Sequence, residues 1–322
     1  MQYAAVILDL DGVVYIGPDA VPFAIEALND FSAQGALLTA ATNNANRPAA
    51  LVAEHLQDLG LRISAEHVMT SAQATARHLA AKLPAASAVL AVGGDGVEQS
   101  LRDAGLTPVR ATQDLATNSD IANRVKAVVV GYGPAVAWFD LATAHWAIER
   151  GRPWFATNAD PTVPLQFGRA PGNGAIVGLL RTSTSTEPTI IGKPEPALFD
   201  ALADQVQTRD VLVIGDRLDT DIDGARAARM ESLLVLTGVH EPSDLAKRPT
   251  ETWPTYVAQD LRSLTQPVIR LTWSGGAVEA DGPSSHPLVA AVIAAATGLS
   301  PSSTWSSAEP SPLIDVRGLC GG

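Results

Sequence analysis

The sequence predicts a doubly wound α/β core of parallel strands, interrupted by an inserted α/β module. Three observations carry this expectation. Short apolar runs such as Ala4–Leu8 and Val211–Ile214 lack polar alternation, as strands buried on both faces of a parallel sheet require. Longer stretches of helical spacing separate them and stop at glycines, as Val21–Gln34 does at Gly35. The β-α rhythm also changes over Ser71–Pro188 and returns at Thr189.

In order, Ala4–Leu8 is a strand, Val21–Gln34 a helix, Ala36–Ala41 a strand, and Ala49–Leu59 a helix started by Pro48 and stopped by Gly60. The middle segment has strands at Ala88–Val92, Ala127–Val130 and Trp154–Ala156 and a helix over Val136–Arg150. Arg181–Pro188 is rich in Ser and Thr and reads as a connector. The core then resumes with strands at Thr189–Ile191, Val211–Ile214 and Ser232–Leu236 and a helix at Pro196–Val206. From Gln266, Val268–Thr272 and Ala277–Glu279 flank Ser274-Gly275-Gly276 as a hairpin, Pro287–Thr297 is a helix, and Pro301–Pro312 is loose. The expected domains are therefore core 1–70, cap 71–188, core 189–262 and a C-terminal extension 263–322, a small ββα unit with a loose tail.

Composition narrows the function. The chain has 322 residues, 46% of them hydrophobic and 17% charged, which excludes a mainly disordered protein. A net charge of −12 argues against nucleic acid or an anionic membrane as partner. The single cysteine, Cys320, excludes an internal disulfide and a cysteine-cluster metal site. No apolar run reaches the roughly 18 residues of a membrane span. Met1-Gln2-Tyr3 lacks the basic start of a secretory signal, so the expected compartment is the cytoplasm.

Four polar clusters each follow an apolar core strand. Asp9 and Asp11 lie two apart on an extended chain, so both side chains project to one side. Two carboxylates there are costly without a cation or hydrogen bonds. Thr42-Asn43-Asn44 offers a hydroxyl, amides and backbone N–H groups suited to phosphate oxygens. Lys193, in Gly192-Lys193-Pro194, is one of four lysines in the chain and supplies a fixed positive charge. Asp216, Asp219 and Asp221 crowd the exit of Val211–Ile214, a donor set for a hard cation such as Mg²⁺. Each cluster taken alone also fits a structural role, in turn aspartates, ordinary loop residues or helix caps. Open parallel sheets place ligands at the carboxyl ends of their strands, which favours the functional reading of the set.

The order Asp-x-Asp, Thr, Lys, Asp closely resembles the haloacid dehalogenase superfamily, phosphatase branch, subclass IIA. Within it the chain resembles the NagD/4-nitrophenylphosphatase-like family, whose members carry an inserted α/β cap of the C2 type. Ala156-Thr157-Asn158-Ala159-Asp160 and Pro171-Gly172-Asn173-Gly174-Ala175 match as well, and the resemblance covers residues 4–262. It implies that Asp9 is the nucleophile and Asp11 the general acid and base. It also implies that Mg²⁺ is held by Asp9, Asp216 and the Asp11 carbonyl, with Asp221 orienting its water ligands. Thr42, the Asn43 backbone and Lys193 would bind phosphoryl oxygens, and Asn44 would order the loop or touch substrate. Val163 and Pro164, on the loop Pro161–Leu165, are the substrate-contact candidates; Asn158 and Asp160 shape the cap or meet a substrate hydroxyl.

The implied partner is a small phosphorylated metabolite. The loop carries no aromatic or histidine, which favours a polyol or acid phosphate over a nucleobase. The Arg- and Ala-rich, Lys-poor composition and the extra C-terminal segment resemble actinobacterial members acting on glycerol 3-phosphate. 2-Phosphoglycolate, a nucleoside monophosphate and another sugar phosphate are the alternatives. A phosphotransferase or mutase and a non-catalytic metabolite-binding protein on the same fold are the readings from other classes. Trp138 and Trp146 share a helix face and serve as core or as contacts of a homodimer through the cap. Gly93-Gly94-Asp95-Gly96 and Gly131-Tyr132-Gly133 do not complete a dinucleotide-binding motif.

Overall fold

The computed structural model describes all residues except 1–2, 166, 275–276, 284, 299–309 and 321–322. Contacts divide the chain into two units, one of Met1–Ala40, Leu56–Ile63 and Leu202–Gly322, the other of Ala41–His55 and Ser64–Ala201.

In the first unit the strand Ala5–Leu8 is buried along its whole length. It pairs in parallel with Val211–Gly215 on one side and with Leu37–Thr42 on the other. Parallel pairing continues from Val211–Gly215 to Glu231–Val235 and on to Tyr256–Ala258. Unbroken Val, Ile and Leu runs suit strands covered on both faces. Where a hydroxyl enters this sheet it is satisfied locally: Thr39 Oγ1 donates to the Val6 carbonyl at 2.8 Å. Leu8 stands opposite Ile214, and the Asp9 N–H donates to the Ile214 carbonyl at 2.8 Å. The residues after these two strands therefore emerge side by side.

The C-terminal part begins as expected. Val268–Ser274 and Ala277–Ala280 pair antiparallel, and Pro287–Ala296 is a helix. The turn residues Gly275-Gly276 lie outside the described residues, as do 301–309 of the stretch expected to be loose. The expected loose tail gives way to order at Leu313–Gly318. This segment is a strand set between Tyr256–Ala258, antiparallel, and Val268–Ser274, parallel. Its pattern hid it, because Asp315 and Arg317 interrupt the apolar run. Asp315 is fully buried, and Arg317 grips it through Nε at 3.0 Å and Nη2 at 2.7 Å. Arg317 also reaches Glu231 at 2.8 Å.

This pair predicts a pH effect. Burial pushes the Asp315 carboxyl up, but hydrogen bonds and charge from Arg317 outweigh it and leave the group below its ordinary value. A depressed carboxylate contributes stability above its unfolded pKa of about 3.9 and loses it as pH falls through the folded value. Arg317→Gln is expected to lower the melting temperature at neutral pH and to reduce the further loss below about pH 4. Melting temperatures recorded down to about pH 2 check this, and parallel curves for the two proteins would contradict it.

The second unit holds a five-stranded parallel sheet in the order Thr189–Ile190, Trp154–Ala156, Ala127–Val130, Ala88–Val92, Thr107–Val109. Its three central strands are those expected in the middle segment. Thr189–Ile190, expected as a core strand, is instead the edge of this sheet, with Ile190 opposite Ala156. Apolar patterning announces a strand without naming its neighbour. The helix Asn173–Thr184 runs into the expected connector. Thr182 and Thr184 donate back to the carbonyls of Gly178 and Leu180 at 2.8 and 2.7 Å, which occupies their hydroxyls inside the helix.

The expected loop Pro161–Leu165 is also corrected. Thr162–Leu165 pairs antiparallel with Gly168–Pro171, placing Val163 opposite Ala170 and Pro164 opposite Arg169. A two-stranded ribbon tolerates Pro164 because each strand keeps one unpaired edge. Trp138 is 74% exposed, whereas Trp146 packs on the core of this unit.

Candidate active site

Three carboxylates of the first unit come together. Asp9 follows the strand Ala5–Leu8, Asp216 follows Val211–Gly215, and Asp221 lies in a wide turn over Leu218–Ile222. Each offers an oxygen, and these oxygens lie within 4.8 Å of one another. Asp216 and Asp221 are buried and Asp9 is half-buried. The turn selects which acids of the run take part. The N–H groups of Asp221 and Ile222 both donate to the Arg217 carbonyl at 3.1 Å, and the Ile222 bond has the five-residue spacing of a π-turn. The Arg217 N–H donates to Asp221 Oδ2 at 3.2 Å. The Arg217 side chain instead grips the exposed Asp219 at 3.0 and 2.7 Å. Burial raises the Asp219 carboxyl, but Arg217 outweighs it and holds the group below its ordinary value.

Asp11 is exposed at the start of a tight turn. The Gly12 N–H donates to the Tyr15 carbonyl at 2.8 Å, and the Leu10 carbonyl accepts from Val14 and Tyr15 at 2.9 and 3.1 Å. Gly12 has φ +86°, and a Cβ there would lie 2.6 Å from Asp216 Oδ2. Only glycine makes both the turn and the close approach.

Sequence reasoning missed one wall of this centre. Thr237-Gly238-Val239-His240 comes after the strand Glu231–Val235 and packs on Asp216. The Val239 N–H donates to Asp216 Oδ2 at 2.8 Å, and a Cβ on Gly238 would stand 1.9 Å from that oxygen. Thr237 Oγ1 donates to the Gly12 carbonyl at 2.6 Å, and the Leu218 N–H donates to His240 Nδ1 at 3.3 Å. The available clue was a glycine shortly after a core strand.

The donor set suits a hard divalent cation. Crowded carboxylate oxygens repel one another unless a cation or a proton intervenes, and oxygen-only ligation favours Mg²⁺ over softer metals.

The second unit carries the other expected residues. Thr42 is buried at the end of its strand and its Oγ1 accepts the Asn44 N–H at 3.0 Å. Asn44 is exposed, and its Oδ1 accepts the Asn46 N–H at 3.0 Å, so its side chain orders the loop. Lys193 is 3% exposed, and its Nζ donates to the Ala41 carbonyl at 3.1 Å. Its N–H donates to Asn43 Oδ1 at 2.9 Å, so Thr42–Asn44 and Lys193 are drawn together. The glycine run after Val92 has a packing role there: the Gly96 N–H donates to the Asn46 carbonyl at 3.0 Å. The Val163–Pro164 hairpin also presents Phe167, 97% exposed, an aromatic just beyond Pro161–Leu165.

A parallel sheet with three carboxylates converging at its strand exits is the architecture of an α/β enzyme whose ligands gather at that edge. The chain belongs to the haloacid dehalogenase-like hydrolase family: that family's model matches residues 6–107, and a second one, HAD-hydrolase-like, matches residues 190–264. D-glycerol 3-phosphate phosphatase of Mycobacterium tuberculosis is 41% identical over 265 residues, covering 82% of this chain and 72% of that protein. An acid sugar phosphatase of Staphylococcus aureus is 32% identical over 262 residues, covering 81% of this chain and 96% of that protein. Among solved structures, the glycerol phosphate phosphatase of Mycobacterium tuberculosis in complex with magnesium superposes with a TM-score of 0.78 at 37% identity, over 96% of this chain and 92% of that one. The p-nitrophenyl phosphatase from Archaeoglobus fulgidus superposes with a TM-score of 0.73 at 28% identity, over 82% of this chain and 98% of that one. Among the described residues no helix is long and apolar enough to cross a membrane.

Proposed function

We propose that the protein is a Mg²⁺-dependent phosphatase of a small phosphorylated metabolite, with glycerol 3-phosphate as the first candidate. The meeting of Asp9, Asp216 and Asp221 at the strand exits carries this reading. It is supported by 41% identity to a glycerol 3-phosphate phosphatase and by likeness to that enzyme's magnesium complex. Acid sugar phosphatase among the relatives keeps sugar phosphates as the second reading.

In this reading the carboxylates of Asp9 and Asp216 and the carbonyl of Asp11 hold the cation, and Asp221 orients its water ligands. Bound Mg²⁺ supplies charge neutralisation, so that one anion can approach another. An Asp9 oxygen attacks phosphorus in line, and the bond from phosphorus to the ester oxygen breaks. The leaving alkoxide takes the proton of the Asp11 carboxyl. Asp11, now a carboxylate, removes a proton from the water that attacks the aspartyl-phosphate. The bond between Asp9 and phosphorus then breaks, releasing phosphate. Thr42, the Asn43 N–H and Lys193 hold the phosphoryl oxygens and offset their charge. Binding alone would not need Asp11, which weighs against a non-catalytic role.

Residues 71–188 serve in this proposal as the cap module that selects substrate, with Val163 and Pro164 as contacts. The exposed Trp138 supports a homodimer through that module, and the reading includes a cytoplasmic location. The test is phosphate release from a panel of small phosphate esters with Mg²⁺ or with a chelator. Glycerol 3-phosphate is expected to give the highest kcat/KM and the chelator to stop release; no release from any ester would overturn the proposal. Lys193→Ala is expected to lower kcat and weaken inhibition by inorganic phosphate together, and an unchanged rate would remove Lys193 from the mechanism.

A further inference from the structure

The amide of Asn43 lies at the centre of a bonded cluster that the roles above do not use. Its Oδ1 accepts the Lys193 N–H at 2.9 Å. Its Nδ2 donates to the Lys193 carbonyl at 3.1 Å and to Asp160 Oδ2 at 3.0 Å. Both amide hydrogens and the amide oxygen are thus engaged, and both backbone groups of Lys193 are clamped by one side chain. The Asn43 carbonyl in turn accepts from Ser71 Oγ and from Asn158 Nδ2, each at 2.7 Å. Asn158 is itself fixed, because its carbonyl accepts from Asn173 Nδ2 at 2.7 Å and its Oδ1 accepts the Asp160 N–H at 3.1 Å.

The orientation of this amide is unique. Turned over, its oxygen would face the Lys193 carbonyl and the Asp160 carboxylate, two acceptors, and its nitrogen would face the Lys193 N–H, a donor. The two backbone groups of Lys193 already favour this face, and the Asp160 carboxylate, a charged acceptor, strengthens the choice. The Lys193 side chain is buried and its Nζ is held on the Ala41 carbonyl at 3.1 Å, so a shift of its backbone is passed on to the ammonium. A small displacement of a phosphate-binding cation is costly to rate.

We propose that Asp160 is a positioning residue: it fixes the Asn43 amide, and through it the backbone of Lys193. This deepens the phosphatase reading and rests on Lys193 being its phosphate-binding cation. It assigns to the Asn158–Asp160 element a task other than shaping a cap or touching a substrate hydroxyl.

The test measures glycerol 3-phosphate turnover and competitive inhibition by inorganic phosphate in Asp160→Ala, Asp160→Asn, Asn43→Asp, the double variant Asn43→Asp/Asp160→Asn, and Lys193→Ala. Asp160→Ala is expected to lower kcat and weaken phosphate inhibition, each about tenfold. Asp160→Asn keeps a carbonyl that accepts from Asn43 and is expected to stay within about threefold of the parent. Asn43→Asp sets two carboxylates against each other and is expected to lose at least as much as Asp160→Ala. The double variant restores a donor and an acceptor across the pair and is expected to regain part of that loss, in turnover and in phosphate inhibition alike, which independent roles for the two residues would not produce. An unimpaired Asp160→Ala, an Asp160→Asn as impaired as Asp160→Ala, or a double variant no better than Asn43→Asp would each overturn the proposal. Undiminished phosphate inhibition in Lys193→Ala would instead overturn the reading beneath it.

Discussion

Asp9→Asn is expected to abolish phosphate release, by at least about a thousandfold, while the protein stays folded. The two side chains have nearly the same shape, so the packing around the strand exit changes little. The Asp9 bond that extends the sheet ladder, its N–H to the Ile214 carbonyl at 2.8 Å, is a backbone bond and survives. What is lost is the anionic oxygen that would attack phosphorus, since a neutral amide is a poor nucleophile. The substitution also removes one of three crowded negative charges. Without Mg²⁺ the variant is therefore expected to melt no lower than the parent, because like charges in a partly buried cluster repel. With Mg²⁺ it is expected to gain less stability than the parent, because stabilisation by a ligand grows with its affinity for the folded state. Phosphate-release assays and melting curves with and without Mg²⁺ read the two effects separately. A variant that kept most of its activity would remove Asp9 as nucleophile. One that lost activity but gained as much from Mg²⁺ would keep Asp9 as nucleophile and remove it as a ligand.

The parts of this centre that are legible in the sequence share one property: they stand at the ends of unalternated apolar runs. Ala5–Leu8 and Val211–Gly215 announce themselves as buried strands, and parallel pairing then brings the residues after them to one edge. Asp9 and Asp216 follow from that logic alone. The wall formed by Thr237 to His240 does not, because its main contact with Asp216 is a backbone N–H, which any residue but proline could supply. The fixing of Asn43 by Asp160 is hidden for another reason: the two residues stand 117 positions apart, and pattern within one strand or helix says nothing of such pairs. Thr189–Ile190 is recognisable as a strand but not by its neighbours, since two residues carry no information on pairing. Thr162–Leu165 and Gly168–Pro171 are four residues each and both contain a proline, so neither run announces its pairing.

Ending the chain at Gly298 is expected to destroy cooperative folding, although the removed residues come after every element that bears the proposed chemistry. The last strand is not an appendage. Leu313–Gly318 lies between Tyr256–Ala258 and Val268–Ser274, so its loss leaves a gap inside the sheet and not a shorter edge. Leu313, Ile314, Val316 and Leu319 have no exposed surface. Burying four such side chains contributes about 6–12 kcal/mol as an upper estimate, at about 1.5–3 kcal/mol each. Domains have about 5–15 kcal/mol in total, so the loss is of the order of the whole. Ile314, Val316 and Leu319 share a cluster with Leu234, Val257 and Leu271, so the damage reaches the strand that precedes the Thr237–His240 wall. The half-exposed ion pair of Arg317 with Glu231 at 2.8 Å is lost as well, but it adds little to this. The truncated chain is expected to show no sharp thermal transition and to expose apolar surface to a hydrophobic dye. Val316→Asp, which keeps the length and buries one unpaired charge, is expected to act in the same direction. A truncated chain that melted within a few degrees of the full protein would show that the first unit closes its sheet without this strand.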